Sequence, residues 1–335
     1  MNFFICSEEN KIRIVIGVVL VFLCCFAIFL SYATTPIDKN LKSTVIEIPQ
    51  GASFDQTIKI LDQVGLIKNK QFFYLLAVLK NATKRIKVGE YEFAGTMTPA
   101  NIIDRLLKGE IKQYWVKIPE DKTLQDIALL LSSPENNFVD QETFLELTSD
   151  RIFLDSLGID APTAEGYLYP DTYRLNHTMT PQQIIRAMVN QFRKKVTPEM
   201  FTKAEKLGLN EIEFITMASL IGKETGYRQE KNLISAVFHN RLKKGMRLQS
   251  DPTAIYDLEN FSGRIRRKHL KRKSPYNTYV INGLPPGPIA NPGISSFKAA
   301  INPAPVDYLY FVSKNNGTHH FSSTLSEHNT AALKY

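Results

Sequence analysis

Residues 14–30 read IVIGVVLVFLCCFAIFL, an apolar run with no charged side chain. A helix apolar on every face must be covered all round, by a large core or by lipid. Ser31, Tyr32 and Ala33 extend the run toward the roughly 20 residues that a bilayer core requires. It reads as a transmembrane helix over 14–33 behind a short N-terminal segment of residues 1–13, which is cytoplasmic if the bulk of the chain lies outside. A cleaved secretory signal is the alternative, because Ser31-Tyr32-Ala33 resembles a small-x-small cleavage site. The apolar run exceeds the roughly 7–15 residues usual in a signal, which favours an uncleaved anchor. Lys11 and Arg13 precede it while Asp38, Lys39 and Lys42 follow, so the charge bias leaves orientation open.

The rest of the chain has a globular composition. With 335 residues, 44% hydrophobic and 22% charged, it can bury a sizeable core and holds two or three units. The net charge of +8 is local, since residues 264–273 carry seven basic side chains and no acid. That segment lacks interleaved aromatics, so nucleic acid is not an expected partner. A solvated loop is its plainest reading, and contact with anionic lipid or glycan is the functional one. The three cysteines are Cys6, Cys24 and Cys25. A body without cysteine builds neither disulfides nor thiolate metal sites, and is compatible with an oxidising compartment.

The chain reads as α+β: the anchor, a tether over 34–43, a small αβ module over 44–114, and a mixed α/β region with a cleft over 115–335. In the module, Val45-Ile-Glu-Ile-Pro49 reads as a strand ended by proline. Ser53 is placed to cap a helix over residues 54–64 that Gly65 stops. A helix over 70–79, a strand over 89–93 and a helix from Pro99 to Leu107 follow. Ile46-Glu-Ile-Pro49 with Ser53-Phe54 repeats as Val116-Lys-Ile-Pro119 with Thr123-Leu124, at an offset of 70 residues. Units of this kind resemble LysM-like modules, which lie against sugar polymers; a folded spacer reads the same way. Farther on, helices are expected over 141–150, 181–193 and 198–207, and a hairpin over 308–323 ahead of a short helix from Ser326.

The central stretch is ITMASLIGKETGYRQEKNLISAVFHNRLKKGMRLQSDPTAIY, residues 215–256. A helix over 211–224 carries Met217, Leu220, Ile221 and then Glu224 along one face. Partial burial there would raise the carboxyl pKa, as a general acid near neutral pH requires. An isolated glutamate at a helix end more often pairs with a neighbour such as Lys223 or Arg228. Glu165-Gly-Tyr-Leu-Tyr-Pro-Asp-Thr-Tyr173 sets Glu165, Tyr167 and Asp171 among aromatics, which suits either a buried turn or a sugar cleft. Asn240, Arg241, Gln249, Asp251, Asn277 and Tyr279 are candidates for the cleft wall, because their side chains are polar and amides offer both donor and acceptor. Arg241 suits a glycan carboxylate or a bridge to Asp251. His239 reads as packing or surface. His319, His320 and His328 lack a metal-site spacing, so no metal and no cofactor are expected.

Several ordered motifs carry a resemblance. Ser219-Leu-Ile-Gly-Lys-Glu-Thr225, Val237-Phe-His-Asn-Arg-Leu242, Gly245-Met-Arg-Leu-Gln-Ser-Asp-Pro-Thr253, Tyr276-Asn-Thr-Tyr279 and Gly283-Leu-Pro-Pro-Gly-Pro-Ile-Ala-Asn-Pro-Gly293 together resemble the YceG-like family. The resemblance is strong over residues 115–335 and extends to the anchor and module in arrangement. It implies an endolytic lytic transglycosylase that cleaves the MurNAc–GlcNAc β-1,4 bond of peptidoglycan and leaves 1,6-anhydroMurNAc ends. It makes Glu224 the catalytic residue, while Gly222 stands where many relatives carry a further glutamate. It also implies a single-pass protein of the inner membrane with its bulk outside the cytoplasm, meeting nascent glycan strands and peptidoglycan synthases. The repeat and aromatic cluster alone would equally fit an anchored, non-catalytic glycan-binding scaffold.

Overall fold

The apolar run is helical. In the computed structural model, which describes residues 8–38, 42–258 and 261–335, it forms the core of α1 (Glu8–Thr34). Among the described residues α1 is the one helix long and apolar enough to cross a membrane, with a mean hydropathy of 3.1 over its most apolar window. Residues 39–41 of the expected tether and 1–7 of the N-terminus, with Cys6, lie outside the described residues. The chain divides into two units, Met1–Tyr114 with Asn176–Thr178 and Trp115–Leu175 with Met179–Tyr335. The architecture is mixed α+β.

After α1 the first unit continues with β1 (Thr44–Ile48), α2 (Phe54–Gln63), α3 (Lys70–Leu79), β2 (Gly89–Phe93) and α4 (Pro99–Lys108). β1 and β2 pair antiparallel with Ile46 opposite Tyr91, so Ile46, Ile48, Tyr91 and Phe93 face one core. Capping boxes at Ser53 with Gln56 and at Thr98 with Asn101 start α2 and α4, and satisfy amide groups that helix ends leave open. Phe29, Ala33 and Ile37, at and beyond the end of α1, belong to this same core.

The second unit holds β3 (Tyr114–Lys117), α5 (Leu124–Ser132), α6 (Gln141–Leu147), α7 (Arg151–Ser156), β4 (Thr172–Leu175), α8 (Pro181–Lys195), α9 (Pro198–Lys206), α10 (Glu211–Glu224), α11 (Lys231–Lys243), α12 (Arg267–Leu270), α13 (Ile294–Ala300), β5 (Tyr310–Ser313), β6 (His319–Ser322) and α14 (Leu325–Lys334). β3 pairs with β4, while β5 and β6 form an antiparallel hairpin. Thr123 caps α5 through a capping box with Asp126, as Ser53 caps α2. The single helix expected over 141–150 is two. Asp150 accepts the Phe153 amide at 2.6 Å and starts α7, because an aspartate at that position caps a new helix better than it continues an old one.

Helix α10 is the centre of this unit. Residues from Phe214 to Gly222 are buried on every side, among α9, α11 and α13. Phe297 of α13 meets Phe214 at 5.5 Å and Phe192 of α8 at 5.7 Å, both edge-on. The one-faced helix of the sequence pattern is therefore interior on every face between its first turn and its last, where Lys223 and Glu224 reach partial exposure.

Candidate active site

Glu224 is the last residue of α10 and is half-buried. Ser250 Oγ donates to its Oε1 at 2.5 Å. Burial raises the carboxyl pKa to about 7; the Ser250 hydrogen bond pulls it down, the Asp251 charge pushes it up, and the Arg241 charge pulls it down. At neutral pH a large share of Glu224 thus holds a proton that it can give away.

The loop carrying Ser250 is fixed by hydroxyl contacts. Ser250 N donates to Thr278 Oγ1 at 2.9 Å, Thr278 N donates to Thr253 Oγ1 at 3.1 Å, and those two hydroxyls lie 2.8 Å apart. Gln249 adopts a φ of +51°, a left-handed conformation costly for a residue with a Cβ, and its N–H is held by Thr278 O at 3.1 Å. Beside them Tyr279 Oη donates to Asp251 Oδ1 at 2.5 Å. Gln249 and Asp251 are exposed and Tyr279 is half-buried. A recess of about 680 Å³ is lined by Lys223 and Pro252, the chain neighbours of Glu224 and Asp251, with Ile255 and Tyr256, and by Gln125 and Asp126 of α5.

The other candidates face inward and hold the scaffold. Arg241, 6% exposed, donates from Nε to Leu309 O at 2.6 Å and from Nη1 to Leu248 O at 2.7 Å, with Tyr310 stacked 5.3 Å away. It braces the Gln249 loop against β5. Asn240 Nδ2 donates to Val306 O at 2.8 Å and to Tyr308 O at 3.0 Å. Asn277 is fully buried and directs its amide at the carbonyls of His269, Leu270 and Arg272. Tyr167 packs on Phe192 and donates to Glu211 at 3.3 Å. Asp171 accepts the Thr172 amide at 2.8 Å and Gln191 Nε2 at 2.5 Å. These five candidates spend the named groups on the scaffold, the role that the sequence left open for Arg241 and for the 165–173 turn. His239 meets Ala300 O at 2.8 Å, and His319 pairs with Glu230 at 2.8 Å.

Glu165 is also a support, at 1% exposure. It accepts Leu124 N at 3.2 Å, Tyr256 Oη at 2.9 Å and Asn291 Nδ2 at 2.7 Å. Burial nonetheless raises its pKa to about 7. A folded pKa above the unfolded one means the native state binds the extra proton. The stability this contributes is complete below about pH 4.5, the model-peptide range, and is lost as pH rises to about 7. Glu165 should accordingly contribute on the order of 3 kcal/mol to the fall in stability over that window, and Glu165→Gln should remove that share while leaving the parts due to Glu224 and Asp121. An unchanged slope in the variant would assign the pH dependence elsewhere.

Three supports escaped sequence reasoning. Ser250 sat within the polar loop without a role. Asn291 accepts Gly166 N and Leu168 N, each at 2.9 Å, and ties them to Glu165 and to Lys122 O. Asp121 places its carboxylate over Gly222, where any Cβ would collide with Oδ1. Burial raises the Asp121 pKa to about 6.

A half-buried, proton-bearing glutamate held by a hydroxyl of an exposed polar loop is equipped for acid–base work on a bond brought to that loop. A sequence model described as the YceG-like family matches residues 46–334. The chain belongs to the YceG-like family. A Bacillus subtilis (strain 168) relative named endolytic murein transglycosylase is 36% identical over 318 residues, covering 90% of this chain and 87% of its own length. A Streptococcus pneumoniae (strain D39) relative of the same name is 30% identical over 325 residues, covering 88% of this chain and 58% of its own. A crystal structure of a YceG-like protein from Listeria monocytogenes superposes with a TM-score of 0.60 at 34% identity, over 86% of this chain and 98% of that one.

Proposed function

We propose that this chain is an endolytic murein transglycosylase, with Glu224 as its single acid and base. The observation that carries the reading is the Glu224–Ser250 arrangement, a carboxyl with a pKa of about 7 where α10 meets the polar loop, in a member of a family whose relatives bear that name.

The substrate lies in a cleft formed by the recess and the Gln249–Asp251 loop, across the MurNAc–GlcNAc bond. Protonated Glu224 gives its proton to the glycosidic oxygen as the bond from C1 to that oxygen breaks. Positive charge develops at C1 and is met by the MurNAc N-acetyl oxygen. The MurNAc 6-hydroxyl attacks C1, and its proton passes to Glu224, which returns to its starting state. A 1,6-anhydro end forms, and no water is consumed. A hydrolase would need a second carboxylate as base or nucleophile; here the acceptor is already part of the substrate, which favours ring closure through proximity. Gln249, Asp251 and Tyr279 are the groups placed to bind the sugars beside the broken bond.

In this reading α1 anchors the chain in the cytoplasmic membrane and the rest lies outside the cytoplasm, where glycan strands grow from synthases in the same membrane. The first unit, with the LysM-like strand-helix pattern, lies along the strand. Arg264, Arg266, Arg267, Lys268, Lys271 and Lys273 are exposed and suit an anionic lipid surface, while Arg272 is engaged by Asp257.

Digestion of purified murein by the full chain, followed by mass analysis, tests the proposal. Anhydro-ended fragments of many lengths are expected. Reducing ends that have gained water would refute the transglycosylase step, and binding without cleavage would favour the anchored scaffold.

A further inference from the structure

Helix α3 has two apolar faces. Phe73, Leu76 and Ala77 are buried in the core of the first unit. On the other side Tyr74, Leu75, Val78 and Leu79 are 47%, 46%, 45% and 66% exposed. Their i, i+1, i+4, i+5 spacing joins them into one stripe along the helix. A continuous apolar stripe left in water marks a contact surface.

The place of α3 says what covers it. Tyr32 Oη of α1 donates to Asn69 O, at the start of α3, at 3.0 Å. One turn on, Phe72 meets Phe29 at 5.8 Å and Tyr32 at 5.5 Å, both edge-on. Moving forward along α3 therefore means moving backward along α1, from its last turn toward its apolar middle. At about 1.5 Å per residue, Leu79 lies roughly 10 Å beyond Phe72 in that direction. Aromatic residues such as Tyr32 and Phe72 favour the membrane–water boundary. Phe29, Ala33 and Ile37 lie in the core of the first unit, so α1 and α3 move as one body.

We propose that Tyr74, Leu75, Val78 and Leu79 of α3 lie in the interfacial layer of the bilayer that α1 spans. The first unit is then seated on the membrane by two helices instead of hanging from one. The inference rests on reading α1 as a membrane span.

The test is photolabelling of the full chain in bilayers of phosphatidylcholine and phosphatidylglycerol that contain a lipid with a diazirine on its acyl chain. Adducts are expected on α1 and on residues 74–79, with Leu333, 92% exposed in α14, as the background. The pair Leu75→Glu and Leu79→Glu, both at exposed positions, should cut the α3 adducts at least about tenfold, a 1.4 kcal/mol penalty, and leave those on α1. Adducts on α1 with α3 at background would overturn the proposal while leaving the anchor intact. Background labelling of both would overturn the anchor reading and this one with it. Background labelling of α3 that rises to the level of α1 when the chain is diluted in the bilayer would show that a second copy covers the face, and would also overturn it.

Discussion

Glu224→Gln should leave the chain folded and abolish the production of anhydro-ended fragments. The amide matches the carboxyl in shape and still accepts the Ser250 hydroxyl through the oxygen now held at 2.5 Å. What it removes is the proton. Positioned proton transfer contributes about 10²–10⁴-fold per step, and the same residue serves two steps, so the loss should reach at least the upper part of that range. In the wild type the pKa of about 7 sets the pH dependence. The acid form dominates below that value, and above it the competent fraction falls tenfold per pH unit, so the rate should decline on the alkaline side. Asp251→Asn removes a charge that raises the Glu224 pKa, and should move this decline to lower pH. Fragments still carrying anhydro ends in Glu224→Gln, or an alkaline decline that survives in its residual activity, would show that another group is the acid. Glu165→Gln is the informative contrast. Glu165 has a similarly raised pKa, but its oxygens are engaged by Leu124, Tyr256 and Asn291 in the interior, so its loss should affect stability before chemistry.

That contrast also explains what could be read from the sequence. Local rules sufficed for the Ser53 and Thr123 caps, the strands at Ile46 and Val116, and the helix ending at Glu224, since each depends on neighbours within a few residues. The site depends on meetings that no periodicity encodes. Ser250 reaches Glu224 across 26 positions, and Asn291 reaches Glu165 across 126. Residue type reports the capacity to hydrogen-bond, not the partner. Asn240 and Asn277 have the amides that an acetamido sugar needs, yet backbone carbonyls at the turns around Val306 and His269 need the same donors and lie closer. Exposure separates the two cases: Gln249 and Asp251 face solvent beside Glu224, whereas Glu165, Arg241 and Asn277 do not. Asp121 over Gly222 shows the same limit from the other side. A glycine signals that space is required without naming what enters it.

The largest expected stability effect away from Glu224 is at Asn291. This side chain is fully buried and uses its whole hydrogen-bonding capacity, accepting Gly166 N and Leu168 N at 2.9 Å each while donating to Lys122 O at 3.0 Å and Glu165 at 2.7 Å. It thereby joins three segments otherwise distant in sequence, and Ile289 N, donating to Ser219 Oγ at 3.1 Å, ties its loop to α10. Asn291→Ala strands the Gly166 and Leu168 amides and one Glu165 oxygen, while Lys122 O keeps the backbone N–H of residue 291 at 2.9 Å; each group left unmet costs about 1–3 kcal/mol. With partial relaxation the net loss should be roughly 4 kcal/mol, or about 8–16 °C in the unfolding midpoint of a unit this size. Asn291→Asp keeps both acceptors but sets a second carboxyl against Glu165, so its deficit should grow as pH rises and the two compete for protons. Neither variant removes a group near Glu224, so activity well below the unfolding transition should stay close to wild type. If Asn291→Ala unfolds with the wild type, the loop is held by the packing of Ile289 and Ala290, both buried, and the four hydrogen bonds merely replace those that water would make.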